Sequence, residues 1–175
     1  MEQTVVNTRR DCIARLVPTG DLINIPEGTF VTLTQKLGGS YTIVINGNMA
    51  RISGEDGDAL GMEPTVFSYT TPLDGKVNPE DVQHALRTVF DPEIPVNIVD
   101  LGLIYQCDIN SNQLVNITMT LTSPGCGMGP VLIEDVKNRV GSVPNVSGVN
   151  VELVFDPAWS RDMMSEEAQL ELGLF

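Results

Sequence analysis

The sequence is poor in basic residues, in aromatic side chains and in cysteine and histidine, with three cysteines and one histidine. Ten Lys and Arg stand against 23 Asp and Glu, so the formal charge is −13. A field of that sign repels phosphate backbones and anionic lipid headgroups, which argues against nucleic acid and membrane surfaces as partners. A basic protein partner remains compatible with this charge.

Long apolar runs and a targeting segment are also lacking. No stretch approaches the ~20 apolar residues of a membrane span, and the opening MEQTVVNTRRDCIARL has no apolar signal core. We therefore expect a cytoplasmic protein, in which three cysteines argue against a disulfide framework. Cys12, Cys107 and Cys126 form no CxxC pair, which excludes the common zinc-finger pattern but not a site shared between chains.

Residues 1–60 consist of short alternating segments broken by turn residues. CIARLV, LINI, FVTLTQ, YTIVI and NMARI are separated by PTGD, PEGT, LGGS and the dipeptide Asn46-Gly47. Asn-Gly between alternating runs predicts a hairpin, because a type I′ turn needs positive φ at both central positions. The pattern predicts a small all-β unit over 1–60, followed by a connecting segment over 61–76 that lacks clear periodicity.

From residue 77 the pattern changes to helices alternating with strands. NPEDVQHALRTVF predicts a helix with Asn78 as N-cap and Pro79 at its first position. LGLIYQCDI and LVNITMTLT predict strands, PVLIEDVKNRV a second helix, GVNVELVF a third strand and SEEAQLELG a short final helix. The order α-β-β-α-β-α over 77–175 predicts an α+β domain, a small mixed sheet with helices packed on one face.

Cys126 is the strongest candidate for chemistry. In LTSPGCGMGP it lies between Gly125 and Gly127, just before a predicted helix. The amides and the positive dipole end of a helix N-terminus favour an anion, and a thiolate is one. We expect an acidified thiol suited to metal ligation, persulfide carriage or nucleophilic attack. The alternative is an inert small residue in a tight turn.

The stretch DPEIPVNIVDLGLIY places Asp91, Glu93 and Asp100 in one short loop. Such carboxylates could act as acid and base, bind a hard metal ion, or shape the loop by accepting backbone N–H bonds. We favour the structural use, because Asp-Pro is a turn former and Asp100 could cap the entry to a strand.

The remaining thiols and the histidine are weaker candidates. Cys107 is expected to be a small buried hydrophobe of an alternating strand. Cys12 follows a basic pair that could acidify it, and we leave it open as an auxiliary thiol. His84 is predicted on the polar face of its helix, as a solvated side chain rather than a ligand or base. Because no nucleophile–base pair is evident, we assign no catalytic residue and expect no enzyme.

In combination, DPEIPVNIVDLGLIY, MTLTSPGCGMGP, GVNVELVFDPAW and MSEEAQLELG resemble the iron–sulfur cluster assembly domain family, over about residues 77–173. Residues 1–60 resemble the N-terminal extension of the SufT branch, and GCGMG fits that branch better than the GCP of other branches. The resemblance implies an accessory factor in iron–sulfur protein maturation. Its partners would be iron–sulfur assembly proteins and the apo-protein clients that receive clusters.

On this resemblance, the reactive cysteine of the family falls on Cys126, the acidic motif on Asp91, Glu93 and Asp100, and an Asp-Pro-x-Trp segment on Asp156–Trp159. Iron–sulfur clusters usually take four thiolate ligands, so one chain with one exposed cysteine does not hold a cluster tightly. A labile cluster bridging two chains through paired Cys126 residues, completed by small thiols, fits the count. The alternatives are a metal-free adaptor that recruits clients, and a hydroxylase accessory subunit of the PaaD kind, which GCGMG disfavours.

Overall fold

The computed structural model describes residues 3–91, 94–125 and 127–173. They form two compact units, which divide between Ser68 and Tyr69. This division falls within the segment 61–76 that the sequence predicts as a connection. Within the described ranges, no helix has the length and apolar character needed to cross a membrane.

The N-terminal unit is a six-stranded antiparallel sheet. Its strands are β1 Thr4–Asn7, β2 Cys12–Val17, β3 Leu22–Ile25, β4 Phe30–Leu37, β5 Ser40–Ile45 and β6 Asn48–Ser53, in the spatial order β1-β4-β5-β6-β2-β3. Asn46 and Gly47 have φ of 51° and 79°, so the predicted β5–β6 hairpin turn is confirmed. Ile25, Ile43 and Ile52 are fully buried in the core of this unit.

Two elements of this unit go beyond the sequence prediction. The first is β1, whose four residues are mostly exposed and show no alternation of apolar and polar side chains. The second is a 3₁₀ segment, Gly54–Leu60, rich in glycine and acids. The Arg10 guanidinium bonds Asp56 at 2.8 Å and Asp58 at 2.6 Å, which ties this segment to the start of β2.

The C-terminal unit follows the predicted order of elements. It consists of α1 Pro79–Arg87, β7 Ile104–Ile109, β8 Leu114–Met119, α2 Gly129–Gly141, β9 Gly148–Leu153 and α3 Glu166–Glu171, with a short 3₁₀ turn Arg161–Met163 before α3. Asn78 caps α1 as predicted, since its Oδ1 accepts from the Glu80 amide at 3.0 Å.

The sheet of this unit is mixed, with β8 in the centre. β7 pairs with β8 antiparallel, and β9 pairs with β8 parallel, so α2 serves as the crossover that a parallel pair requires. Apolar side chains of β8 share one core with side chains of both long helices: Val82, Leu86, Val115, Ile117, Met119, Leu132 and Val136. The predicted α+β class, with helices on one face of a small mixed sheet, is confirmed.

Candidate functional site

The three sequence motifs of the C-terminal unit meet at one end of its sheet. Because β8 and β9 run parallel and β7 runs opposite to them, the ends of β8 and β9 lie beside the start of β7. The Thr120 amide donates to the Leu103 carbonyl at 2.9 Å, and the Val154 amide donates to the Met119 carbonyl at 2.8 Å. The acidic loop, the glycine loop and the Asp-Pro-x-Trp segment therefore all adjoin this sheet end.

Asp91 is a buried residue of the acidic loop, only 4% exposed. Its Oδ1 accepts from the Ile94 amide at 3.2 Å, and its own amide donates to the Val96 carbonyl at 3.4 Å. A carboxylate placed in this way shapes the loop by accepting a backbone hydrogen bond. Glu93, the second acid predicted for this loop, lies outside the described residues.

Asp100 is held by side chains of the same region. Its carboxylate accepts from the Asn97 amide group at 2.6 Å and pairs with the Arg87 guanidinium at 3.1 Å. Asn97 in turn accepts the amides of Val99 and Asp100 at 3.0 and 2.9 Å. Among the described residues, no three His, Cys, Asp or Glu side chains group closely enough to hold a metal ion.

Three hydrogen bonds join the C-terminal segment to the acidic loop and to the start of β7. The Trp159 indole donates to the Leu101 carbonyl at 2.6 Å, and the Tyr105 hydroxyl donates to the Pro157 carbonyl at 2.7 Å. The Ser165 amide donates to the Asp100 carbonyl at 2.8 Å. Residues assigned to separate motifs by the sequence are thus joined by direct hydrogen bonds.

The glycine loop connects β8 to α2, and Cys126 itself lies outside the described residues. Its neighbours Ser123, Pro124, Gly125 and Gly127 are all exposed, and a Cβ built on Gly125 would meet nothing within 4 Å. On the helix side the loop is anchored, because Met128 and Gly129 are buried. The described residues on either side of position 126 are therefore exposed, and the loop is anchored where it enters α2.

The N-terminus of α2 has no side-chain cap. Met128 occupies the N-cap position without a side-chain hydrogen bond, and the first turn contains Pro130 but no acidic residue. The first amides of a helix have no partner within the helix, and they carry the positive end of its dipole. A thiolate close to this end of α2 would be stabilised.

Cys12 and Cys107, the two cysteines that the structure describes, lie in environments that disfavour the thiolate. Cys12 is 4% exposed, and burial, followed by the charge of Asp56, raises its pKa. Burial also raises the pKa of Cys107, with a smaller contribution from Asp108. The acidification considered for Cys12 is not found, because burial and the charge of Asp56 outweigh the opposing effect of the Arg10 guanidinium on the pKa.

His84 is exposed on the polar face of α1, as predicted. The Tyr69 hydroxyl lies 3.2 Å from its Nδ1, and the two rings meet edge to face with centroids 5.7 Å apart. This arrangement attaches the start of the C-terminal unit to α1.

Two contributors to the site were missed at the level of sequence. Arg87 is not among the residues that the sequence singles out, although it pairs with Asp100 across the acidic loop. Asn97 was not singled out, although it organises the turn that holds Asp100. The three-residue spacing of Asn97 and Asp100, typical of a turn closed by an Asn side chain, is the signal that could have identified the contact between these two residues.

Comparison with known proteins assigns the family. A family model described as iron–sulfur cluster assembly protein matches residues 79–153. The Fe-S protein maturation auxiliary factor of Porphyromonas gingivalis is 56% identical over 94 residues, which cover 54% of this chain and 90% of that protein. The chain belongs to the iron–sulfur cluster assembly protein family.

Further relatives define the branch and the extent of the match. The Fe-S protein maturation auxiliary factor SufT of Staphylococcus aureus is 41% identical over 86 residues, which are 49% of this chain and 98% of that protein. An iron-sulfur cluster carrier protein of Mycobacterium bovis is 33% identical over 99 residues, or 57% of this chain and 24% of that protein. The chain is thus of the SufT type, as its motifs indicate.

A solved structure supports the fold of the matched part. A domain of unknown function from Bacillus anthracis has a TM-score of 0.52 and 39% identity, covering 55% of this chain and 92% of that chain. The Staphylococcus protein is too short to contain a counterpart of the N-terminal sheet. The resemblance of residues 1–60 to a SufT-type extension therefore stays a prediction.

Proposed function

We propose that this protein is an accessory factor of iron–sulfur protein maturation, which carries clusters and inserts them into apo-proteins through the thiol of Cys126. The observation that carries the proposal is the setting of the glycine loop. Exposed neighbours flank Cys126 on both sides, directly before a helix whose first turn has neither a side-chain cap nor an acid. The names of the relatives, maturation auxiliary factor and cluster carrier, support the same role.

The helix end gives the thiol the character that iron ligation needs. Iron binds the thiolate, so the Cys126 thiol must release its proton when the Fe–S bond forms. The amides and dipole at the start of α2 favour the resulting anion. Cluster loading should therefore decrease as the pH falls.

Because each chain has few suitable thiols, the cluster is bound only transiently. Cys12 is buried and Cys107 partly buried, and burial raises the pKa of both thiols, so neither is a ready ligand. Two chains contributing one Cys126 each supply two of the usual four ligands, and small thiols supply the others. A cluster held in this way is exposed and readily exchanged, which transfer to a client requires.

The acids of the loop take a structural part in this proposal. Asp91 and Asp100 accept hydrogen bonds from the loop and from Arg87, and thereby fix the sheet end beside which the glycine loop begins. We assign no catalytic residue, and the protein acts as a carrier rather than an enzyme. Its partners are iron–sulfur assembly proteins and the apo-proteins that accept clusters.

Anaerobic reconstitution with iron, sulfide and a small thiol tests the proposal. Visible absorption, iron and acid-labile sulfide per chain, and oligomeric mass are measured for the wild type, Cys126→Ser and the matched control Cys107→Ser. We expect a chromophore in the wild type and the control, with one cluster for two chains and a mass that doubles on loading. Cys126→Ser should stay colourless and monomeric.

Two results contradict the proposal. A wild-type protein that stays colourless and metal-free would exclude cluster carriage and favour the metal-free adaptor, which recruits clients by surface contacts alone. A chromophore that survives in Cys126→Ser would show that other ligands hold the cluster, and the assignment of Cys126 would then fail.

A further inference from the structure

A pocket of about 360 Å³ lies in the C-terminal unit, beside the acidic loop. Its innermost residues, Leu101 and Met164, are buried, and its half-buried residues are Ile94, Pro95, Trp159 and Leu172. Arg161 is the exposed residue of the lining. The size is at the lower end of the range for ligand sites, ~300–1,000 Å³, and is sufficient for one large apolar side chain.

The pocket adjoins residues 101–103, which contact the chain where it leaves β8. The carbonyl of Leu101 accepts the Trp159 indole at 2.6 Å, and the carbonyl of Leu103 accepts the Thr120 amide at 2.9 Å. Thr120 directly follows β8, at the start of the chain segment that contains Cys126. A polypeptide bound in the pocket therefore lies beside the segment 101–103, which contacts the residue where the chain leaves β8 towards the glycine loop.

Arg161 determines which polypeptide fits. Within the part of the chain that the structure describes, its guanidinium makes no ion pair or side-chain hydrogen bond. This cation stands out on a chain of formal charge −13, which otherwise repels acidic segments. An apolar cavity with such a cation beside it is complementary to an apolar side chain that has a carboxylate as its neighbour.

We propose that this pocket is the docking site for apo-protein clients, and that it binds a leucine-like or aromatic side chain next to an Asp or Glu that pairs with Arg161. The inference rests on the proposed function, because it assigns the pocket to the same transfer reaction. One anchor side chain and one exposed ion pair give weak, short-lived binding, and a carrier that must release its client needs that kinetic behaviour.

Blocked tetrapeptides test the docking site on the full, unloaded chain. The probes are Ac-Gly-Leu-Glu-Gly-NH₂, its Gln counterpart, and a Ser counterpart that lacks the apolar side chain. Trp159 is the single tryptophan, so its fluorescence and its indole N–H resonance report directly on the pocket. We expect the Glu peptide to bind about two- to fivefold tighter than the Gln peptide, the range for an exposed ion pair, and the Ser peptide not to bind.

Two surface variants separate the role of Arg161 from that of net charge. Arg161→Gln should equalise the affinities of the Glu and Gln peptides. Lys137→Gln, which removes the same charge from the exposed side of α2, should preserve the difference between them.

Three outcomes overturn the docking site. They are no change at Trp159 with any peptide, equal binding of the Glu and Gln peptides by the wild type, and a Trp159 signal that shifts with protein concentration alone. The last would show that a second copy of the chain occupies the pocket. Since no iron is present, failure here leaves the reconstitution result standing. Failed reconstitution with successful peptide binding would overturn the carrier function while keeping the docking site.

Discussion

Gly102 ends the acidic loop in a conformation that other residues adopt only with strain. Its φ is +77°, and a Cβ at this position would lie 2.2 Å from the carbonyl oxygen of Met163. Gly102→Ala should therefore lower the free energy of unfolding of the C-terminal unit by at least about 2 kcal/mol. Urea unfolding followed by Trp159 fluorescence measures this, because the tryptophan lies in that unit.

Gly141→Ala is the matched control, at the last residue of α2 where an added Cβ meets nothing within 4 Å. Alanine is the better helix former, so this change should leave stability unchanged or raise it by up to about 1 kcal/mol. Equal midpoints for the two variants would show that the Gly102 turn and its contact with Met163 are not formed in solution.

The three thiols should differ sharply in reactivity. Burial shields Cys12 and Cys107 and raises their pKa values, which lowers the thiolate fraction at neutral pH. Iodoacetamide at pH 7 should therefore modify Cys126 more than about tenfold faster than either of them, as measured by mass spectrometry of the digested protein. Denaturation should remove the difference for Cys12 and Cys107.

The raised pKa values also fix the sign of a pH dependence. The folded state binds these two thiol protons more tightly than the unfolded state, so the stabilisation is complete below the ordinary thiol pKa. It is lost as the pH rises through the raised pKa values of the folded protein. For the reactivity prediction, alkylation of Cys12 or Cys107 in the folded protein as fast as that of Cys126 would contradict the expected difference.

Single residues with strong local preferences could be predicted from the sequence. Asn46-Gly47 and Asn78 appear where turn and capping chemistry place them, because those preferences act within a few residues. The pairing of Arg87 with Asp100 could not be predicted in the same way. It depends on the path of the loop between α1 and β7, which long-range packing determines.

At the scale of elements, the uncapped start of α2 is the feature with a functional consequence. Pro130→Glu places an acid in the first turn, where it stabilises the helix but competes with a thiolate for the same amides and dipole. We expect alkylation of Cys126 at pH 7 to slow by about two- to fivefold. The pH dependence of the alkylation rate measures the effect.

Pro130→Gln is the control, since it removes proline without adding a charge. Its alkylation rate should remain close to that of the wild type. If the Glu and Gln variants react equally fast, the helix terminus does not act on the thiol, and the electrostatic part of the proposal is wrong.

Elements bounded by turn residues could be predicted closely, whereas weakly patterned ones could not. β2 and β3 occupy the predicted segments CIARLV and LINI, because Pro, Gly and Asp flank them. β1 was missed because three of its four residues are exposed. The 3₁₀ segment Gly54–Leu60 was missed because its glycines and acids give no helical pattern. Their positions are set by pairing with β4 and by the Arg10 contacts.

At the scale of the whole molecule, the C-terminal unit should be sufficient for cluster binding. The Staphylococcus relative is matched over 98% of its length by 86 residues, so a protein of about this unit's size exists by itself. A fragment of residues 69–175 should fold cooperatively, as measured by Trp159 fluorescence, and should take up a cluster as the full chain does. The fragment 1–68 should take up none.

Two results would contradict this division of function. One is a fragment 69–175 that folds but stays colourless under conditions that load the full chain. The other is a chromophore on fragment 1–68, whose only thiol is the buried Cys12.

The meeting of the motifs at one sheet end could be predicted only in part. The alternation of helices and strands predicts the α+β class, and the motifs identify the family by resemblance. The parallel pairing of β8 with β9 brings the three segments together, and a strand order of this kind is not encoded in local patterns. The order of the six-stranded sheet is likewise a long-range property.

Transfer of a cluster to an apo-protein tests the central claim most directly. The wild-type chain, loaded anaerobically and freed of unbound iron and sulfide, is mixed with an apo-ferredoxin in the presence of an iron chelator, and acceptor absorption is followed. We predict that the acceptor gains a cluster faster than from the same amount of free iron and sulfide. The Cys126→Ser variant, taken through the same loading procedure, should transfer none. Transfer no faster than from free iron and sulfide, or transfer that the chelator abolishes, would contradict the account.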